Sequence, residues 1–92
     1  MIQSFNCPET EALFKGRRIA RFINMERTAL RKLEQLDIAL RLADLRVPPG
    51  NRLEALSGDR AGQWSVRINS QWRICFRFEE GTAFDVEIVD YH

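Results

Sequence analysis

The chain has 92 residues, 45% hydrophobic and 29% charged, with 14 Lys plus Arg against 13 Asp plus Glu and a formal net charge of +1. A chain this short is expected to fold as one domain, residues 1–92, because two halves would each bury too little apolar surface to offset chain entropy. Collagen-like, disordered and membrane-spanning classes are excluded, since no window approaches the roughly 18 consecutive apolar residues of a transmembrane helix, and the near-zero net charge does not by itself mark a nucleic-acid binder.

Twelve of the cations are arginine and only Lys15 and Lys32 are lysine. A planar guanidinium suits phosphate, although GC-rich coding produces the same bias. Cys7 and Cys75 lie far apart and His92 is the sole histidine, so no zinc or redox spacing is present and neither a metal nor another cofactor is expected. Met1 to Phe5 lacks the charged and apolar regions of a signal peptide, which leads to the expectation of a cytoplasmic protein with reduced thiols and no membrane association.

In chain order, Ile2 to Phe5 reads as a short strand. Pro8 opens a helix to about Lys15, with Glu9 and Glu11 at its positive end and Gly16 to stop it. Lys15, Arg17, Arg18 and Arg21 then form a run of cations without an acid. It reads as an RNA-phosphate contact or, with more weight, as a solvated connector. From Asn24, a reasonable N-cap, to about Ala43 the apolar positions Ala29, Leu33, Leu36, Leu40 and Ala43 recur at helical spacing, with Asp37 and Arg41 as an acid-first pair. This predicts the main core helix; the leucine stripe is too short for a coiled coil.

Pro48-Pro49-Gly50-Asn51 predicts a connector, Arg52 to Leu56 a short strand, and Ser57 to Gly62 a glycine-permitted turn without the ending of a Walker loop. Three alternating runs follow. Trp64, Val66 and Ile68, then Trp72, Ile74, Phe76 and Phe78, then Phe84, Val86 and Ile88 supply the apolar positions of an antiparallel meander, and its even-numbered face should lie under the long helix. The odd face then carries Arg67, Arg73, Arg77, Asp85, Glu87 and, by continuation, Tyr91.

Arg77 is expected to pair across strands with Asp85 or Glu87. Arg73 is the functional candidate, with Arg67 second, because the end of its strand should face the chain terminus. Asp90 and His92 are polar where the even positions are otherwise apolar, as if the strand ran past the helix to an open edge. Internal RNA cleavage needs a base for the 2′-OH proton, a cation for the phosphate and an acid for the 5′-oxygen. Arg73, Asp90, Tyr91 and His92 can supply these, with Tyr91 also able to stack on an unpaired base.

Met1-Ile2-Gln3-Ser4-Phe5, Gly58-Asp59-Arg60-Ala61-Gly62 with Trp64, Trp72-Arg73-Ile74 and Asp90-Tyr91-His92 together resemble the HigB group of bacterial toxins in the wider RelE superfamily. The run Pro48 to Leu56 is similar to its GraT-like branch. The resemblance implies an α+β fold with helices on one face of a mainly antiparallel sheet of about four to five strands. It also implies an endoribonuclease that cuts messenger RNA in the ribosomal A site, with the 70S ribosome and mRNA as partners and the RNA on the sheet face that the helices leave open. A HigA-like helix-turn-helix antitoxin would neutralise the toxin, and operator DNA would be met only through that antitoxin. By position, Arg73 would stabilise the scissile phosphate, Tyr91 would orient or stack the nucleotide, and Asp90 and His92 would serve proton transfer. Arg60, Arg67, Arg17, Arg18 and Arg21 are the accompanying RNA or ribosome contacts. Some members carry histidine and lysine where this chain has Glu54 and Ser57, which makes Glu54 a candidate base and implies slower or more context-dependent cleavage. A non-enzymatic ribosome or RNA binder and a ParE-like gyrase inhibitor are the alternatives.

Overall fold

The computed structural model describes residues 1–90; Tyr91 and His92 lie outside the described residues. Two helices, α1 (Pro8–Phe14) and α2 (Glu26–Ile38), pack on a sheet of four strands: β1 (Glu54–Ala55), β2 (Trp64–Arg67), β3 (Trp72–Glu79) and β4 (Thr82–Asp90). The sheet order is β1-β2-β3-β4 and each neighbouring pair is antiparallel. This is an α+β architecture, with the helices on one face of an antiparallel sheet.

The alternation of apolar side chains decides which sheet face the helices cover. Val66, Ile74 and Ile88 stand in one cross-strand row, and all three are buried with Leu33, Leu36 and Phe22 from the helical layer. Trp72 meets Phe22 edge-on, with ring centroids 5.5 Å apart. Burying the Phe22, Leu33 and Leu36 side chains contributes about 1.5–3 kcal/mol each. Thr10 of α1, fully buried, ties the layers together by accepting from the Ile88 backbone N–H at 3.0 Å.

The N-terminal segment pairs only at Ile2 with Ala83 and at Phe5 with Val86, both parallel to β4. Its backbone nevertheless covers the free edge of β4, with Gln3 N donating to Ala83 O at 2.8 Å and Val86 N to Ser4 O at 3.1 Å. A bare strand edge invites pairing with other chains, and this segment removes it.

The core helix is shorter than its leucine spacing predicts. It begins after Met25 instead of Asn24 and ends at Ile38, where Ala39 turns to an extended conformation. The cause is Asp44, whose carboxylate accepts the backbone N–H groups of both Leu40 and Arg41 at 3.0 Å and starts a separate 3-10 turn over Leu42–Arg46. Leu40 is consequently 78% exposed, and Leu45 takes the core position that the helical pattern assigns to it. Asp37 makes no helical pair with Arg41; it accepts the Ile2 backbone N–H at 2.8 Å.

A second expectation changes in β4. Cys75 pairs with Glu87 but Arg77 pairs with Phe84, so β4 carries an extra residue between those points. Asp85 sits there in the left-handed region with φ 56°. The bulge reverses the parity of everything before it: Ala83, not Phe84, is buried on the helix side, and Phe84 shares the open face with Arg77.

Asn51 is fully buried at the end of the Pro49–Asn51 3-10 turn. Its side chain accepts from the Lys32 ammonium and donates to the carbonyl of Leu45 and to Gln35 Oε1, both at 3.1 Å. Burial, then the Arg31 charge, lowers the Lys32 pKa below its ordinary 10.5. The native state therefore binds fewer protons than the unfolded chain between that lowered value and 10.5, and stability rises with pH across that window.

Asn51→Leu should lower the unfolding free energy by about 2–3 kcal/mol, because it strands a buried ammonium, and adding Lys32→Met should recover much of the loss in urea titrations. The Arg41 N–H, then that of Leu40, holds the Asp44 carboxyl below its ordinary 3.8. Its contribution is present above that value and is lost as pH falls through the lowered one, so Asp44→Asn should show a shallower acid-side loss of stability in unfolding curves taken below about pH 4.

Candidate functional site

The face away from the helices is built from two adjoining cross-strand rows. One runs Arg67, Arg73, Val89 and the other Glu54, Ser65, Cys75, Glu87. Directly opposed side chains share a face of the sheet, so β-pairing alone places Arg73, Arg67 and Glu54 on one surface.

Arg73 is only 7% exposed although it lies on the open face. Its Nε donates to Ser65 Oγ at 2.8 Å, and one Nη donates to the Arg52 carbonyl at 2.7 Å and contacts the Ser65 carbonyl at 3.4 Å. The same Nη lies 3.6 Å from Glu54 Oε1, a carboxylate half exposed at the sheet edge. The Arg52 carbonyl is aimed at it by a left-handed backbone conformation, φ 45°, directly after the 3-10 turn that Asn51 anchors. The guanidinium is thus held in plane by the Ser65 hydroxyl and the Arg52 carbonyl, with the Glu54 carboxylate at its edge.

Arg67 stands directly opposite Arg73. Like charges in facing positions are destabilising, and the Arg67 side chain has no hydrogen bond or ion pair among the described residues. Two cations held side by side make a place where an anion is favoured.

Arg60 reaches the same face from the 3-10 turn Gly58–Arg60, but its charge is engaged: Nη1 donates to Gln63 Oε1 at 3.0 Å and to Glu87 Oε1 at 3.3 Å. Beneath them Cys75 is fully buried, and burial pushes its thiol up, against the smaller opposing pull of Arg60 and Arg73. A buried, protonated thiol is a poor nucleophile. Arg77 pairs with Asp85 at 2.9 Å, one of the two partners, Asp85 or Glu87, expected for it.

Asp90 ends β4 at an even position, as the alternation predicts. Val89 faces Arg73, whereas Asp90 faces Trp72 and therefore belongs by register to the helix side. It is exposed at the end of β4 and accepts from Gln71 Nε2 at 3.1 Å. Tyr91 and His92, the other two terminal candidates, lie outside the described residues.

The basic run is on the helix side as well. Acids reach most of it across the fold or over one helical turn: Glu26 takes Arg18 at 2.9 Å, Glu9 takes Arg21 at 2.6 Å, and Glu11 takes Lys15 at 3.1 Å. Arg21 also lies over the rings of Phe22 and Trp72, 5.0 and 5.4 Å from their centroids. Arg17 and Arg18 line a cleft of about 480 Å³ between α1 and α2 with Leu13, Arg27 and Leu30. Lys15, Arg18 and Arg21 of this run thus each have an acid partner.

Sequence reasoning passed over Ser65, Arg52 and Phe84. Parity alone placed Ser65 on Arg73's face, and a polar residue at that odd position was the available signal. Nothing in the sequence marked the Arg52 carbonyl, because its role depends on a backbone angle.

A family model described as "RelE-like toxin of type II toxin-antitoxin system HigB" matches residues 11–92. Toxin HigB-1 of Vibrio cholerae serotype O1 is 45% identical over 62 residues, 67% of this chain and 65% of that protein. Endoribonuclease HigB of Proteus vulgaris is 36% identical over 61 residues, 66% of this chain and 65% of that protein. The chain thus spans about 65% of the length of the curated relatives it matches. Among solved structures, a heterotetrameric YoeB-YefM toxin-antitoxin complex from Staphylococcus aureus contains a chain similar in fold, with a TM-score of 0.62 at 16% identity over 100% of this chain and 98% of that one. With 82 residues under the family model and a sheet of matching architecture, the chain belongs to the HigB family of RelE-like toxins of type II toxin–antitoxin systems.

Proposed function

We propose that this protein is an endoribonuclease that cleaves messenger RNA in the A site of the 70S ribosome and so arrests translation and growth. The observation that carries the reading is the clamped Arg73 beside Arg67, two cations on the sheet face that the helices leave uncovered. Family membership and the relative named as an endoribonuclease support it.

The chemistry is an attack of the ribose 2′-oxygen on the adjacent phosphorus. A base removes the 2′-OH proton as the new O–P bond forms, and the bond to the 5′-oxygen breaks as an acid protonates it. Negative charge grows on the non-bridging oxygens, and a preorganised guanidinium lowers the cost of that charge without having to reorient. Glu54, 3.6 Å from the Arg73 guanidinium, is the described carboxylate suited to act as base. Tyr91 is assigned to orienting or stacking the nucleotide and His92 to proton transfer. Asp90, at the strand end and bound by Gln71, is assigned to positioning them.

A HigA-like helix-turn-helix antitoxin would neutralise the toxin and carry any contact with operator DNA. A ribosomal target makes the protein cytoplasmic. No helix among the described residues is long and apolar enough to cross a membrane.

The test is induction of wild type, Arg73→Ala, Arg73→Lys, Glu54→Gln and His92→Ala, with sequencing of RNA 5′ ends and growth curves. Loss of Arg73 should reduce cleavage by about 100- to 1000-fold. Arg73→Lys should retain only a fraction of activity, since an ammonium cannot reproduce the planar fork. Loss of the base at Glu54 should cost about 100-fold or more. Arg73 is buried, so the melting temperature of each variant accompanies the assay; Glu54 is half exposed and its variant tests the chemistry without disturbing packing. Wild-type toxicity in both Arg73→Ala and His92→Ala would overturn the assignment. Arrested translation with no new 5′ ends would point to obstruction, and altered DNA supercoiling to a gyrase inhibitor.

A further inference from the structure

Phe84 stands where its sequence pattern does not put it. It precedes Val86 and Ile88 in an alternating run, yet the bulge at Asp85 turns it out of the core and onto the face that carries Arg73. This arrangement costs free energy twice, once for a non-glycine residue at φ 56° and once for an aromatic ring withdrawn from the apolar core. Bulges next to functional surfaces commonly serve to re-aim a side chain.

The surroundings of the ring are equally particular. The Arg77 guanidinium lies over it, 5.3 Å from the centroid, and Asp85 holds Arg77 through Nε at 2.9 Å with Glu79 3.7 Å from Nη1. Arg77 is therefore spent on fixing the ring and has little charge left to offer a phosphate. Phe84 also forms a wall of a recess of about 580 Å³ whose other sides are Glu79, Glu80 and Thr82. Along β3 the Arg77 position is four residues from Arg73, or about 13 Å on the same face.

We propose that Phe84 is a stacking platform for an unpaired nucleobase of the RNA, received in the recess bounded by Glu79, Glu80 and Thr82. This rests on the RNA-cleaving reading above. An aromatic ring presented on a sheet face is how single-stranded bases are commonly held, through a π-contact that any base can make. The carboxylates at the rim accept hydrogen bonds from N–H groups on the base edge and repel phosphate. The recess thus takes the base and leaves the backbone to Arg67 and Arg73. Phe84 is then a residue that binds the substrate away from the cut bond and helps decide where along the message the cut falls.

The experiment is cleavage of a defined messenger on 70S ribosomes by wild type, Phe84→Leu and Phe84→Tyr, measuring KM, kcat and the sequences around the cut sites. Phe84→Leu keeps an apolar side chain of similar reach but no π-face. It should raise KM by roughly 5- to 100-fold, leave kcat near wild type, and change which bases flank the cuts. Phe84→Tyr, which keeps the ring, should behave as wild type. Phe84→Leu with unchanged KM and unchanged cut sites would overturn the proposal, as would a Phe84→Tyr variant as impaired as Phe84→Leu, since that result marks packing and not stacking. If the melting temperature of Phe84→Leu shows that it has not folded, Phe84→Met supplies the same comparison. Arg73→Ala in parallel separates the two readings. A wild type that cleaves and an Arg73→Ala that does not uphold the parent reading whatever Phe84 shows, whereas no cleavage by wild type removes both.

Discussion

The sheet depends on the register of β3. This strand is paired along both edges, with β2 over Trp64–Arg67 and with β4 over nearly its whole length. Its side chains alternate between the apolar face under the helices and the opposite face that carries Arg73, Cys75 and Arg77, so a slip of one residue would drive Arg73 into the core and put Ile74 and Phe76 on the other face. The apolar half of the alternation, packed under α2, is therefore what holds the polar half in place. Helix packing on one side and cation placement on the other are a single constraint.

Within that constraint the cations of the chain divide into two kinds. Those on the helix side, such as Arg18 with Glu26 and Arg21 with Glu9, are exposed ion pairs of the sort that contribute about 0.2–1 kcal/mol. Arg73 differs because it is buried against Ser65 and the Arg52 carbonyl, groups that orient a guanidinium but carry no net charge. Its nearest described carboxylate, Glu54, is at 3.6 Å and on the exposed edge strand. An ion fixed in this way has already lost the freedom and part of the hydration that it would otherwise lose on meeting an anion. The same loop that supplies the Arg52 carbonyl is anchored to α2 through Asn51 and Lys32, so the helical layer reaches the open face through hydrogen bonds as well as through packing.

The meander, the helix side of the sheet and the face that carries Arg67, Arg73 and Arg77 were legible from alternation, because a side chain in a strand has only two directions to choose from. An acid partner for Arg77 was legible for the same reason, though not which of Asp85 and Glu87 it would be. The end of α2 was not. Leu40 continues the helical spacing, but the Asp44 carboxylate captures two backbone N–H groups that the helix would have used, a local competition that leucine spacing does not register. The basic run from Lys15 to Arg21 looked uncompensated only because Glu9, Glu11 and Glu26 are brought to it by folding or by helical periodicity, not by adjacency in the chain.

What the sequence by itself determined is the class of the fold, the polarity of each sheet face and the presence of Arg73 on the open one, since all three follow from the period-two pattern and the need to bury its apolar half. What only the tertiary structure decided is where single residues stand relative to one another. One extra residue in β4 reverses parity and brings Phe84 out beside Arg77; one left-handed angle at Arg52 aims a carbonyl at Arg73. Each depends on a backbone conformation or a pairing register, which is set by the sum of long-range contacts and leaves no mark in local residue spacing.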